Sequence, residues 1–303
     1  MKNIVLAGGT GFLGQCIIDH HKSDSKISVL TRGATRNVNN VHYLNWDGKT
    51  LGNWSTALEN ADVLINLNGK SVDCRYTQKN MDLIYSTRLD STEVLGKAIQ
   101  QCKIPPKLWI NSSSATIYRH SLDKSMDEET GEFGTGFSVD VCKKWEDVFN
   151  SFHLQDTRKV AIRTGIVLGK NGGALSPLKT LAQLGLGGKQ GKGNQFFSWL
   201  HEKDFLNILD FVMQNEKIHG AINVSSPNPI PNEEFMMKLR KVYKVRLGIP
   251  MPRWLLEIGA VIIRTETELV LKSRKVIPKR LLDEGYKFQF PRIDESLVDL
   301  CSN

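Results

Sequence analysis

The chain has 303 residues, 40% of them hydrophobic and 24% charged, the composition of an ordinary globular protein long enough for one large or two modest domains. No apolar run approaches the roughly 20 residues that a bilayer-spanning helix needs. The longest, Trp254 to Ile263, contains Glu257 and runs into Arg264, so it is expected to form a buried helix. The net charge of +8 is partly local, at Lys238, Arg240, Lys241, Lys244 and Arg246 and again at Lys272, Arg274, Lys275, Lys279 and Arg280. No nucleic-acid motif accompanies these charges, so they are expected to form a solvated face that also attracts small anions. Neither nucleic acid nor membrane is an expected partner. Five cysteines, Cys16, Cys74, Cys102, Cys142 and Cys301, are scattered without a C-x-x-C pair. That argues against a disulfide framework or a metal site and for a reducing, cytoplasmic setting. A strand pattern begins almost at once, so no signal peptide is expected.

Strand and helix patterns alternate through the first half, which predicts an α/β fold, a doubly wound parallel sheet with helices on both faces. Strands are expected at Asn3–Ala7, Lys26–Thr31, Val41–Leu44, Ala61–Leu67, Lys107–Asn111, Arg158–Arg163 and Ala221–Val224. Helices are expected near Phe12–His21, Leu51–Glu59, Thr77–Cys102, Phe137–Phe152 and Phe205–Gln214. Between Asn171 and Gly193 the chain is rich in glycine around a short helix, Leu178–Leu184, the pattern of a mobile cover over a site. Pro227, Pro229 and Pro231 mark a boundary, after which Asn232 is expected to cap a helix at Glu233–Tyr243. The expected division is 1–225 for a nucleotide-binding domain, with the cover at 170–195, and 226–303 for a smaller, mainly helical substrate domain.

The first turn carries the strongest local signal. Ile4-Val5-Leu6 stops at a G-x-x-G-x-x-G run, Gly8, Gly11 and Gly14, and a helix follows. Gly8 lets the chain turn sharply, Gly11 lets backbone approach a ligand, and Gly14 lets the helix pack closely. The free N–H groups of that helix would face a pyrophosphate. At the end of the second strand an NAD site usually places an acid, whereas this chain has Thr31 and Arg32, with no acid before Asp47. A guanidinium there suits a 2′-phosphate and favours NADP, with Arg36 as an equal candidate for the phosphate partner. The fourth strand ends in Asn66-Leu67-Asn68-Gly69 at the crevice edge. Gly165–Lys170 and Gly187–Lys192 lack the spacing and the hydroxyl of a phosphate loop, which excludes an ATPase reading.

At Ser112–Tyr118 the sequence reads SSSATIY, and here the chain resembles the extended short-chain dehydrogenase/reductases, the family of sugar-nucleotide epimerases and dehydratases. The resemblance implies a Rossmann-type sheet and makes Ser114 the residue that holds the substrate oxygen. It also calls for a Y-x-x-x-K pair on the next helix, where the tyrosine moves a proton and the lysine lowers its pKa. Phe137 and Val141 occupy those positions, and Lys143 and Lys144 lie about half a turn or more away around the helix.

That departure, with GGTGFLG, LTR, NLNG, FSVDVCKKWE, RTGIVLGKNGGAL and KVIPKRLLDEGYKFQFP in order along the chain, makes it similar to the atypical epimerase family proteins. The resemblance implies that Gly8, Thr10, Gly11, Phe12, Leu13 and Gly14 form the pyrophosphate turn and that Thr31 and Arg32 hold the 2′-phosphate. It implies further that Leu67 and Asn68 line the nucleotide, that Arg88 reaches the cofactor edge, and that backbone of Ile166 and Val167 meets the carboxamide. Trp199-Leu200-His201 with Asp204 forms the family's W-x-H element. His201 is read either as an acid–base group or as a structural histidine tied to Asp204. Tyr118 replaces the missing proton carrier if its hydroxyl faces the nicotinamide, and otherwise packs in the core. The expected function is NADP-dependent hydride transfer on a small molecule of the sugar-nucleotide class, by an epimerase or oxidoreductase; the alternative is a catalytically silent NADP-binding regulator or assembly module. The sequence allows an oligomer.

Overall fold

The computed structural model describes residues 1–263 and 266–302; Arg264 lies outside the described residues. An eight-stranded sheet forms the frame. Its strands are β1 (Lys2–Ala7), β2 (Ser25–Thr31), β3 (Arg36–Val38), β4 (Val41–Asn45), β5 (Val63–Asn66), β6 (Leu108–Ser114), β7 (Arg158–Thr164) and, after the short pieces β8 (Ile166–Leu168), β9 (Phe196–Phe197) and β10 (Trp199–His201), β11 (Gly220–Val224). The spatial order is β11-β7-β6-β5-β1-β2-β4-β3, parallel throughout except that β3 runs antiparallel to β4. The order reverses between β1 and β5, which opens a ligand crevice at the carboxyl ends of those two strands.

Alternation along β1 builds both faces of the sheet. Ile4 and Leu6 pack with Ile17 and Ile18 of α1 (Phe12–His21) and with Phe205, Ile208, Leu209 and Val212, while Val5 and Ala7 pack on the opposite face with Val94, Leu95, Ala98 and Ile99 of α2 (Gln78–Gln101) and Phe149 of α3 (Phe137–Ser151). The Thr77 hydroxyl caps α2 by accepting the Asn80 N–H. The first core's partner helix on the far side is α5 (Glu202–Gln214), preceded by α4 (Leu175–Gln183) in the glycine-rich stretch.

A smaller helical region follows β11. The two-residue strand β12 (Ile230–Pro231) pairs with β9, and α6 (Asn232–Val242) shares a core with α4, Trp199 and α10 (Ile293–Cys301) through Leu175, Phe235, Met236, Leu239, Ile293 and Leu297. Between them come α7 (Arg253–Ile263), α8 (Glu268–Leu271) and α9 (Lys279–Asp283).

Several local expectations are corrected. The helix expected near 51–59 is a 3-10 helix over residues 53–58, pinned by buried Trp54 and Leu58. Strand β3, an exposed edge strand, was not expected. Strand β6 continues to Ser114, because Ser112, Ser113 and Ser114 complete the parallel register with Ile162, Arg163 and Thr164. Asn232 starts α6 but does not cap it; its side chain accepts the Gln190 N–H and donates to Gln190 Oε1. At the described start of the run from Trp254 the expected burial does not hold: Trp254 and Ile258 are 62% and 52% exposed, and Arg253 pairs with Glu257 along the same helix. Among the described residues no helix is long and apolar enough to cross a membrane.

Candidate functional site

The crevice at the β1/β5 switch point has two ends built on opposite principles. At the nucleotide end the groups are left free. Gly8 holds a left-handed φ of +79°, and a Cβ there would lie 2.8 Å from the Asn68 nitrogen. A Cβ at Gly14 would fall 2.5 Å from Gly9 Cα, so the helix and the turn touch through glycine. A Cβ at Gly11 would meet only the Gly8 carbonyl oxygen at 3.9 Å, which leaves the space beside it open. Gly11 is the N-cap of α1 and supplies no capping side chain. The first N–H groups of a ten-residue helix therefore face that space with the positive end of its dipole. These features fit a dinucleotide pyrophosphate. Phe12 turns away from it and packs under the cover, within 2.1 Å of a notional Cβ on Gly169 and 2.4 Å of one on Gly172. Only glycine at those positions leaves room for the ring.

Arg32 follows β2 and is exposed, with no ion pair to another described residue. The backbone around it is braced by Asn45, whose side chain donates to the Arg32 and Gly33 carbonyls. Arg36 lies over the Tyr43 ring at 4.4 Å and donates to the Ala34 carbonyl. The two arginines thus differ: Arg36 is engaged, and Arg32 is available. The crevice floor is fixed by Asn66, which donates 2.7 Å to Asn111 Oδ1 and accepts the Asn68 N–H at 3.0 Å. Trp145 and Thr92 complete that buried network. Arg88 is half-buried against the Trp145 ring and donates to the Lys70 and Ile84 carbonyls, so it braces the Asn68–Lys70 loop. Burial pulls its guanidinium below the ordinary range.

At the other end the groups are engaged. Ser114 is half-buried at the end of β6, where its hydroxyl bonds Thr116 Oγ1 at 3.0 Å and accepts the Thr116 N–H at 3.2 Å. Phe137 sits edge-on between Tyr76 and Tyr85, with ring centres 4.8 and 5.4 Å away, and Val141 is buried. Lys143 donates to the Gly134 carbonyl and Lys144 pairs with Asp140, so neither stands in for a lysine at 141.

Tyr118 is fully buried; its hydroxyl donates to Asn223 Oδ1 at 2.9 Å and accepts from Arg163 Nη1 at 3.0 Å. Burial raises its pKa. Of the two arrangements open to Tyr118, the buried hydroxyl bonded on both sides matches packing in the core. Beneath it Arg163 forms a two-pronged bond with Glu146, at 2.8 and 2.7 Å, both residues buried. Glu146 also accepts from Ser113.

His201 is likewise buried. Its Nδ1 accepts the Lys203 N–H at 3.0 Å, capping α5, which leaves the proton on Nε2, 3.1 Å from Asp299 Oδ2. The ring stacks on Phe290 at 3.9 Å, and burial pushes its pKa down to about 4 against the pull of Asp299. The expected tie to Asp204 is not formed; the imidazole bonds Asp299 instead. Asp204 instead accepts from the Gln289 and Phe290 N–H groups at 2.7 and 2.9 Å and from the Tyr286 hydroxyl, anchoring the C-terminal segment. The Ile166 N–H is already bonded to the Ser198 carbonyl, and Val167 lies in the ladder with Leu200. Much of the basic character is engaged as well: Lys238 with Asp294, Lys272 with Glu268, Lys279 with Asp283, and Arg280 with the His219 and Ala221 carbonyls.

Asn111, Glu146 and Arg163 belong to the buried networks without having been expected from the sequence. Charged residues inside the apolar runs of β7 and α3 were the available signal.

The family model described as the NAD dependent epimerase/dehydratase family matches residues 4–225, and a domain of unknown function, DUF1731, matches residues 251–300. The chain is 30% identical over 305 residues to the Homo sapiens epimerase family protein SDR39U1, covering 99% of each. It is 30% identical over 307 residues to the epimerase family protein SAR0825 of Staphylococcus aureus (strain MRSA252), covering 100% of each. The crystal structure of human SDR39U1 (isoform 2) with NADPH matches at a TM-score of 0.89 and 29% identity over 100% of both chains. A UDP-N-acetylglucosamine 4-epimerase from Methanobrevibacter ruminantium M1 shares the fold at a TM-score of 0.75 and 18% identity, over 98% of this chain and 96% of that one. The open glycine turn at the switch point and these full-length matches agree: the chain belongs to the NAD dependent epimerase/dehydratase family.

Proposed function

We propose that this chain binds NADP and acts as a short-chain dehydrogenase/reductase-like oxidoreductase or epimerase on a small molecule of the sugar-nucleotide class. The observation that carries the reading is the uncapped N-terminus of α1, open at the switch point, with Ser114 at the end of β6 in the same crevice edge. Gly8, Thr10, Gly11, Phe12, Leu13 and Gly14 would hold the pyrophosphate through backbone N–H groups. Thr31 and the available Arg32 would hold the 2′-phosphate, and Leu67, Asn68, Arg88 and Val167 would frame the rest of the dinucleotide. The cofactor supplies the hydride chemistry. Ser114 orients the reacting oxygen, its hydroxyl exchanging Thr116 for substrate. In this reading residues 1–225 form the cofactor domain, 226–303 the substrate domain, and the working compartment is the cytoplasm.

A second reading is a catalytically silent NADP-binding module. Phe137 and Val141 in place of the proton-moving pair, together with the engaged Tyr118 and His201, favour it. The two separate on turnover. A panel of sugar nucleotides and carbonyl compounds is incubated with protein and NADPH or NADP, and both absorbance and products are followed, because an epimerase regenerates its cofactor. The first reading expects an absorbance change or an epimer that Ser114→Ala abolishes. No change and no epimer across the panel selects the second.

A further inference from the structure

Two arginines are buried beside the crevice, Arg163 and Arg274, at 6% and 9% exposure. Arg163 gives the Nε–Nη2 edge of its guanidinium to Glu146, one N–H to each carboxylate oxygen. The same edge of Arg274 is closed to solvent and its Nε and Nη2 have no hydrogen-bond partner. The nearest carboxylate, Glu268, holds Oε1 at 3.8 Å from Nη2, beyond hydrogen-bond length. Glu268 is committed elsewhere: Oε1 accepts Lys272 Nζ and Oε2 accepts the Ser138 hydroxyl, each at 3.1 Å. The Arg274 backbone is fixed, its N–H on the Phe196 carbonyl and its carbonyl on the Ser198 hydroxyl. Glu268 balances the Arg274 charge as an ion pair at 3.8 Å but supplies no hydrogen bond to this edge, and buried N–H groups left without an acceptor are unfavourable, so the edge calls for one.

Its position says what kind. Cys142, which acts electrostatically on both Arg274 and Arg88, packs with Ala115, Ile117 and Val276. The unpaired edge thus lies where α3, the turn that follows Ser114, and the segment after α8 come together. The surroundings are cationic: after burial itself, Lys272, Arg274, Arg119 and Lys192 all push the His120 pKa down. Resting on the proposed function above, we infer that Arg274 is a substrate-recognition residue whose Nε–Nη2 edge takes an oxyanion of the substrate, a carboxylate or a phosphate, side-on. Two parallel N–H···O bonds to one anionic group match that edge as they do in the Arg163–Glu146 pair.

The test uses full-length protein saturated with NADPH, titrated calorimetrically at constant ionic strength with D-glucuronate, with inorganic phosphate, and with uncharged D-glucose as control. At least one anion is expected to bind the wild type, and whichever binds names the source of the oxyanion. Binding should be at least roughly tenfold weaker in both Arg274→Met and Arg274→Lys, because lysine keeps the charge and loses the fork. Without anion, the melting temperature of R274M should be unchanged or raised, since two buried N–H groups without acceptors have been removed and Glu268 keeps Lys272 as its ion-pair partner. The inference is overturned if neither anion binds, if glucose binds as well as the anions, if the variants bind the anions like the wild type, or if R274M melts lower and the guanidinium is a structural strut. NADPH affinity is measured on the same samples. Loss of NADPH binding in the wild type overturns the functional reading and this inference together, whereas intact NADPH binding with any of the other adverse results overturns this inference alone.

Discussion

The two ends of the crevice differ in what their polar groups are doing. At the nucleotide end α1 has no capping side chain, the Arg32 side chain has no ion pair among the described residues, and a Cβ at Gly11 would meet little, so the space beside it is open. At the Ser114 end Tyr118, Arg163, Glu146 and His201 are buried and engaged with one another, with Asn223, Asp299 and Ser113, or with backbone. Free groups at a surface are ready for a ligand; engaged groups in a core hold shape. The open end offers groups to a ligand, whereas at the engaged end Tyr118 and His201 already hold partners within the fold. Arg274 differs from both: it is buried and paired ionically with Glu268, yet its Nε and Nη2 lack hydrogen-bond acceptors.

The largest effect should come from breaking the engaged end. Glu146→Ala leaves Arg163 buried without its carboxylate and should cost about 3–5 kcal/mol of stability. A denaturant titration reads it, and a loss below about 1 kcal/mol would show that water replaces the pair. Replacing both members, Glu146→Met with Arg163→Met, should recover much of the loss, as a matched apolar pair does.

Next is the open end. Gly14→Ala puts a methyl 2.5 Å from Gly9 Cα and must spread the turn from the helix. NADPH affinity should fall by roughly a hundredfold, about 2.7 kcal/mol. Affinity within about threefold of the wild type would mean that the turn does not shape the pyrophosphate site.

The smallest effect is the pH dependence of His201. Its folded pKa of about 4 lies below the ordinary histidine value of about 6.5. As pH falls the unfolded chain takes up the proton first, so the contribution is whole above about pH 6.5 and is lost progressively toward about pH 4. Melting temperatures of the wild type should therefore fall more steeply across that window than those of His201→Gln. Parallel curves would show that the imidazole is not buried neutral.

What the sequence made legible follows the range of the interactions involved. The glycine turn is local: Gly8, Gly11 and Gly14 lie within seven residues, and each role can be assigned from backbone chemistry alone. The long helix was legible from its apolar spacing, but its Thr77 cap was not. The segment at 53–58 was legible as a helix but not as a 3-10 winding, because six residues with two buried apolar side chains suit either. The site at the other end depends on distant partners. His201 meets Asp299, 98 positions away, rather than Asp204, and Tyr118 meets Asn223, 105 away. Nothing near those residues in sequence announces the partner. The gap at Phe137 and Val141 was visible in the sequence, yet the packing of Phe137 between two tyrosines required the fold.

The central claim is that the open end is an NADP site with Arg32 at the 2′-phosphate. Calorimetric titration of wild type and Arg32→Ala with NADPH and NADH tests it most directly. The wild type should bind NADPH more tightly than NADH, and the variant should lose roughly tenfold in affinity for NADPH alone. Equal affinities for the two dinucleotides in the wild type, or an equal loss of both in the variant, would contradict it.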